Sequence, residues 1–221
     1  MPFREPSSAE GLPSAGELQA RWLALWKQLG AVGHGLQEFR RLSAAYAEPA
    51  RVYHTADHIR DCLGQFDWSQ DLAHQSNEVE AAIWFHDVVY LPGAPDNEDR
   101  SAEVADSILS EAAVPKALRR RIGELVLGTK HLAVSVDPDT QLLCDIDLSI
   151  LGRDEPAFDE FERRIRREYA GVPEQRYRSG RSSVLESFLR RPAIYQTKRF
   201  SDRYEDQARR NLKRVLAQLS G

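Results

Sequence analysis

The sequence has few of the residues that cross-link or anchor a chain. Only two cysteines occur among its 221 residues, Cys62 and Cys144. Because they lack paired spacing, we predict neither a disulfide framework nor a zinc ribbon, and expect both to be core thiols. No stretch approaches the roughly 20 apolar residues of a membrane span, and residues 1–16 lack the basic and apolar regions of a secretion signal. We therefore expect a cytoplasmic protein without membrane association, with residues 1–16 as a disordered leader.

The chain also lacks an excess of positive charge. Its formal net charge is −4 and its pI is near 5.9, so no global basic field favours a nucleic acid polymer as partner. A small anionic ligand would need a local basic patch. The 42% of hydrophobic residues suffice for one core, and we predict a single domain over residues 17–221.

Alternation of apolar and polar residues at strand spacing is almost absent, whereas apolar residues recur at helical spacing along most of the chain. Pro and Gly fall at the edges of these segments, as helix boundaries require. The fold class predicted is all-α, a single compact multi-helix bundle. Clear examples of helical spacing are Trp22–Leu29, Leu118–Val126 and Phe158–Tyr169.

Residues 81–91 read as a buried helix except at their centre, which holds His86 and Asp87. An ionised side chain left unpaired in an apolar interior costs many kcal/mol, so such groups are neutralised, paired with a charge or bound to metal. One interpretation is that both residues bind a metal ion. The other is an aspartate that caps a neighbouring helix beside a core histidine.

Residues 142–151 hold two further acids, Asp145 and Asp147, among apolar neighbours. If the segment is helical, Asp147 lies near the centre of the apolar face and Asp145 nearly opposite, toward solvent or a cap. Asp147 is then the better candidate for a ligand. A strand would instead put both carboxylates on one face.

Two histidines four residues apart, His54 and His58, project from the same side of a helix. Such a pair occurs by chance on surface helices. Together with the buried acids, it indicates one metal site.

The order of a histidine, an adjacent His-Asp pair and a distant aspartate resembles the signature of the HD superfamily of metal-dependent phosphohydrolases. Here it consists of His58, His86-Asp87 and Asp147. The sequence is most similar to a group of small, mostly bacterial predicted HD phosphohydrolases, over nearly the whole chain after residue 20. The matching stretches are Trp84-Phe85-His86-Asp87, Asp96-Asn97-Glu98, Asp145-x-Asp147-Leu148-Ser149-Ile150-Leu151-Gly152, Gly180-Arg181 and Glu205-x-x-Ala208-Arg209-x-Asn211-Leu212.

The resemblance implies an HD-type helical domain with His58, His86, Asp87 and Asp147 as metal ligands. Tyr53-His54-Thr55-x-x-His58 also resembles the Tyr-His-Asn-x-x-His element of cyclic nucleotide phosphodiesterases, which implies that His54 protonates the leaving group. Thr55 replaces the asparagine, and no second histidine element follows Asp87. We therefore expect one divalent metal ion. The two departures count against a second metal ion and against a cyclic nucleotide substrate.

Two imidazoles and two carboxylates suit Mn, Fe, Co, Ni, Mg or Zn, and ligand type does not choose among them. Asp87 could accept a proton from a metal-bound water, and Glu98 could act as a further base or bind the metal through water. Basic side chains outside ordinary charged helix faces are the candidates for contacts with a small phosphorylated substrate. They are Lys130, Arg176, Arg181 and Lys198, with His131 able to contact phosphate or complete a second metal site.

Two functional hypotheses follow. The first is an enzyme, a phosphomonoesterase or phosphodiesterase that uses metal-activated water to hydrolyse a phosphate ester of a small metabolite, a nucleotide being favoured. The second is a catalytically silent regulatory module that binds metal or nucleotide at the same site. The presence of the candidate acid His54 favours the enzyme.

Overall fold

The computed structural model describes residues 14–220. The predicted leader, residues 1–16, lies mostly outside this range, but Ser14 caps the first helix, which begins at Ala15. The described chain is 71% helical and contains no strand, so the all-α prediction is confirmed. None of the described helices is both long and apolar enough to cross a bilayer.

The described residues form two compact units, the first ending at Leu143 and the second beginning at Cys144. The single domain over residues 17–221 stays a prediction. The first unit contains α1 (Ala15–Gln28), α2 (Leu36–Ala45), α3 (Ala56–Ser69), α4 (Ser76–Phe85), α5 (Asn97–Glu111), α6 (Lys116–Gly128) and the first residues of α7 (Pro138–Asp147). The second contains the last turn of α7, then α8 (Glu155–Glu168), α9 (Glu174–Leu189) and α10 (Lys198–Ser220).

In the first unit α4 is the central helix, because it packs against α1, α3, α5 and α6. Its last five residues are buried, and Trp22 of α1 meets Trp84 and Phe85 edge to face, with ring centroids 5.5 and 5.8 Å apart. Helix α4 therefore ends deep inside the unit. The prediction of one helix over residues 81–91 is wrong in its second half, since α4 ends at Phe85.

In the second unit α10 packs against α9 and against the 3₁₀ helix Leu148–Gly152. A Cβ at Gly152 would lie 2.4 Å from the Cβ of Tyr204, so this close approach requires glycine. The amide of Asn211, which is fully buried, donates to the carbonyls of Leu151 and Arg153, at 2.9 Å each. Several residues that carry the family resemblance thus have structural roles within this unit.

Candidate metal centre

Three donor atoms converge in the first unit. His58 lies on α3, and His86 and Asp87 follow the end of α4 directly. The His58 Nε2 atom is 3.1 Å from the His86 Nε2 atom and 3.5 Å from Asp87 Oδ2, which is 3.1 Å from His86 Nε2. The two histidine side chains are 2% exposed and that of Asp87 is 15% exposed.

The distances between these atoms fit a single metal ion. Ligand atoms about 2.1 Å from one ion lie about 3.0 Å apart at a right angle and about 3.4 Å apart at the tetrahedral angle. Two of the observed separations, both 3.1 Å, fall inside that interval, and the third, 3.5 Å, lies just above it. His58, His86 and Asp87, all predicted as ligands, are therefore arranged so that one divalent ion can contact all three.

The end of α4 fixes the direction of the His86 ring. The last carbonyls of a helix have no partner within the helix and need donors from elsewhere. Each of the last four carbonyls of α4 accepts a hydrogen bond, and His86 provides two of the four donors. The pairs are Ala82 with the His86 backbone N–H, Ile83 with His86 Nδ1, Trp84 with the Tyr46 hydroxyl, and Phe85 with the Val88 N–H.

The bond to Ile83 also determines the tautomer of His86. Its Nδ1 lies 2.9 Å from the Ile83 carbonyl oxygen, which can only accept, so Nδ1 carries the hydrogen. In the neutral ring the lone pair is then on Nε2, the atom that faces His58 and Asp87. A backbone carbonyl that orients a histidine in this way is typical of metal ligands.

Arg51 links the segment that carries His54 to the segment that carries Asp87, a role that the sequence did not predict. Its guanidinium donates to the carbonyls of His54, Asp87 and Val88, at 3.3, 2.6 and 2.9 Å. The side chain is only 1% exposed and also pairs with Glu48 at 3.0 Å. Arg51 therefore holds the segment before α3 against the segment that carries Asp87.

His54 lies beside the three donors. Thr55 caps α3, which begins at Ala56, by accepting a hydrogen bond from the Asp57 N–H. His54 therefore lies before the helix, and the prediction that His54 and His58 share one helix face is wrong. The His54 ring stacks on that of Tyr90, with centroids 4.0 Å apart and planes inclined at 29°, and its centroid is 5.9 Å from that of His58. The half-buried His54 imidazole is therefore held next to the candidate metal ligands.

Asp87 is an acid that lies among three histidines. Burial raises the pKa of Asp87, but His86, His54 and His58 outweigh this effect and hold the pKa well below its usual range. The carboxylate is thus ionised over the neutral range, in the form that binds a cation.

Glu98 is positioned near Asp87 by the first turns of α5. The Asn97 side chain accepts from the Leu91 N–H and donates to the Leu91 carbonyl, and Ser101 bonds both backbone groups of Val89. Burial raises the pKa of Glu98, and the charge of Asp87 adds to the rise. A carboxyl with a raised pKa is a candidate proton acceptor closer to neutral pH.

Lys130 and His131 interact with the same region. The Lys130 ammonium and the charged form of the His131 ring oppose the rise in the pKa of Glu98, and the Lys130 ammonium is paired with both oxygens of Asp99, at 2.6 and 2.7 Å. A phosphate would compete with that carboxylate for the ammonium group. The contact of both residues with substrate stays a prediction.

Cys62 is a candidate ligand that the sequence analysis did not propose. It follows His58 by one helical turn, and its sulfur lies 3.7 Å from His58 Nε2. The ligand atoms of His58, Cys62 and His86 all lie within 4.8 Å of one another. As expected, neither Cys62 nor Cys144 forms a disulfide, and both are buried. The spacing His58-x-x-x-Cys62 was the signal in the sequence.

The two acids near the end of α7 have different surroundings in the second unit. Asp145 is fully buried and accepts hydrogen bonds from the backbone of Gln196 and Thr197 and from the Thr197 hydroxyl, at 2.7–2.8 Å. It therefore caps α10, which begins at Lys198. Asp147 ends α7 and is half-buried. The helix prediction is confirmed as far as Asp147, and Asp145 forms a cap as one alternative predicted. The prediction that Asp147 lies at the centre of the buried face is wrong, since Asp145 is the more buried of the two acids.

The other predicted phosphate contacts also belong to the second unit. Arg181 pairs with both oxygens of Glu162, Lys198 pairs with Asp202 at 2.6 Å, and Arg176 is exposed. Their role in binding substrate, and that of Asp147 in binding metal, stay predictions.

The chain matches no model of a known protein family, no curated protein and no solved structure. The resemblance to HD phosphohydrolases therefore rests on the motif residues alone.

Proposed function

We propose that the protein binds one divalent metal ion through His58, His86 and Asp87, with Asp147 as a further ligand, and hydrolyses a phosphate ester of a small metabolite such as a nucleotide. The observation that carries the proposal is the set of three donor atoms separated by 3.1–3.5 Å. Asp147 is included on the strength of the sequence motif. When bound, a divalent ion lowers the pKa of a water ligand from about 15.7 toward 7 and draws charge from a phosphoryl oxygen.

His54 is the proposed acid for the leaving group. The Tyr90 ring and the Arg51 guanidinium fix its ring and its backbone carbonyl, so its position does not depend on substrate. An imidazole exchanges its proton readily near neutral pH. Donating that proton to the departing alkoxide would leave a neutral alcohol.

Glu98 is the proposed second base. Its carboxyl is close enough to Asp87 to sense its charge. It can accept a proton from an attacking water while Asp87 remains bound to the cation.

The experiment begins with metal analysis of purified protein, followed by a panel of phosphomonoesters, phosphodiesters and nucleotides with Mn, Co, Ni, Mg or Zn added in turn. His86→Ala and Asp87→Asn should lose bound metal and turnover together. His34→Ala is a matched control, because His34 is exposed and precedes α2. His54→Ala should retain metal and lose most turnover, by about 100-fold or more if general acid catalysis is removed.

The outcomes separate the hypotheses. Metal bound through His86 and Asp87 without turnover on the panel would favour the regulatory module. A wild type that binds no metal, with His86→Ala indistinguishable from it, would show that the buried histidines and acids are only structural. Full turnover in His54→Ala would remove its role as the acid.

A further inference from the structure

We infer that Cys62 is a ligand of the metal ion, so that the site prefers borderline, sulfur-binding ions such as Zn, Co or Fe over Mg; the inference rests on the metal site proposed above. Cys62 is 3% exposed, and its sulfur lies on the side of α3 that carries His58. It is therefore placed among other donors rather than alone in an apolar pocket.

The distances from the Cys62 sulfur to the two histidines support this role. In a tetrahedral site a sulfur about 2.3 Å and a nitrogen about 2.0 Å from the ion lie about 3.5 Å apart. The Cys62 sulfur is 3.7 Å from His58 Nε2 and 3.8 Å from His58 Nδ1, and within 4.8 Å of the His86 ligand atom. Because it is almost equidistant from the two ring nitrogens of His58, the Cys62 side chain must turn toward Nε2 for its sulfur to reach an ion held by the two histidines.

Both histidines are oriented toward one cation site without any contribution from Cys62. The Ile83 carbonyl directs the lone pair of His86 toward His58, and Asp87 Oδ2 faces both rings. These contacts indicate a cation site with or without the thiol. The thiol then decides which cation the site prefers.

The chemistry of the ligands predicts which metal ions the site prefers. Carboxylate and water ligands alone suit Mg and Mn, imidazole suits Zn, Co and Fe, and a thiolate strengthens the latter preference. The cluster of His58, Cys62 and His86 offers two imidazoles and one thiolate within the first unit. Such a set should bind Zn or Co much more tightly than Mg.

The chain provides a matched pair of variants, because Cys144 is the only other cysteine and is also buried. Cys144 is not in the ligand cluster found among residues 14–220. Co(II) is the probe, since a thiolate ligand gives a sulfur-to-cobalt charge-transfer band in the near ultraviolet that nitrogen and oxygen ligands do not give. We expect the charge-transfer band in wild type and in Cys144→Ser. Cys62→Ser should still bind cobalt but should lack the band.

Affinity gives a second measurement. Cys62→Ser should lower the affinity for Zn and Co by at least about tenfold, the size of effect produced by removing even an outer partner of a ligand, and leave the affinity for Mn nearly unchanged. If only one of the two cysteine variants folds, that variant still tests the role of Cys62. A band in Cys144→Ser can arise only from Cys62, and a missing band in Cys62→Ser with cobalt bound shows that Cys62 was its source.

The two proposals fail in different ways. Wild type that binds cobalt through His86 but shows no charge-transfer band would overturn the inference about Cys62 and leave the metal site intact. Wild type that binds no cobalt would overturn both.

Discussion

Exchanging Asp145 and Asp147 separately for asparagine should have opposite consequences, although the two residues are only two positions apart. Asp145→Asn should lower the free energy of unfolding and leave the metal content unchanged. Asp147→Asn should lower the metal content and destabilise the metal-free protein less. Both changes keep the size of the side chain, so neither creates a large cavity.

The magnitude for Asp145 follows from its three hydrogen bonds. A hydrogen bond to a charged group contributes about 1.5–3 kcal/mol, and asparagine keeps one acceptor oxygen while turning an N–H group toward another donor. It also removes an anion from the start of α10, where a negative charge stabilises the helix by about 0.3–1 kcal/mol. Gln196 and Thr197 are half-buried, so water can replace part of the loss. We expect about 2–4 kcal/mol.

Urea denaturation of metal-free protein, followed by circular dichroism, measures the stability, and elemental analysis of the purified variants measures the metal. Asp145→Asn should shift the midpoint to lower urea with the slope unchanged. The reasoning is refuted if Asp145→Asn loses metal at full stability while Asp147→Asn retains it. Asp145 would then be the ligand and the capping bonds would contribute little.

Three further variants test other parts of the structure. Arg51→Met should lower the free energy of unfolding by about 3 kcal/mol, because buried carbonyls including that of Asp87 lose their donor. Thermal denaturation should show this loss, and a metal titration should show weaker binding. Partial burial raises the pKa of Asp137, but hydrogen bonds and a nearby guanidinium outweigh this effect and hold the pKa below 3.8. The ionised Asp137 carboxylate therefore stabilises the folded protein above pH 3.8, and this stabilisation is lost as the pH falls through the lowered pKa. The difference in stability between wild type and Asp137→Asn should shrink in that acidic range, and a constant difference would contradict this linkage. Arg181→Lys should cost about 1 kcal/mol in a denaturation titration, because lysine cannot form the two-pronged contact with Glu162, and an unchanged midpoint would mean that the fork adds nothing.

Helical periodicity was sufficient to predict the fold class and most helices. The helically spaced segments around Trp22, Ile122 and Phe161 lie in α1, α6 and α8, and most of their large apolar residues are buried. These helices are amphipathic, so a repeat of 3.6 residues identifies both their extent and their inner face.

The end of α4 could not be found in this way, because residues 81–85 are buried on all sides and, apart from His86 and Asp87, the sequence stays apolar as far as Leu91. Periodicity is lost in a fully buried helix, and neither Gly nor Pro follows closely enough to mark its end. Arg51 and Cys62 were missed for a related reason. The carbonyls that Arg51 binds lie 36 and 37 residues away, and the place of Cys62 among the donors depends on how α3 packs against α4.

The early end of α4 is also what makes His86 and Asp87 available as ligands. In a continuing helix the Ile83 carbonyl would accept the Asp87 N–H, and successive side chains would point about 100° apart. Because the helix ends at Phe85, that carbonyl accepts from the His86 ring instead, and the two side chains meet at 3.1 Å. The carbonyls of Asp87 and Val88 then need the buried guanidinium of Arg51. The local break in the helix, the distant arginine and the ligand pair are therefore parts of one arrangement, and a change that extended α4 by one turn should abolish metal binding even with His58, His86 and Asp87 all retained.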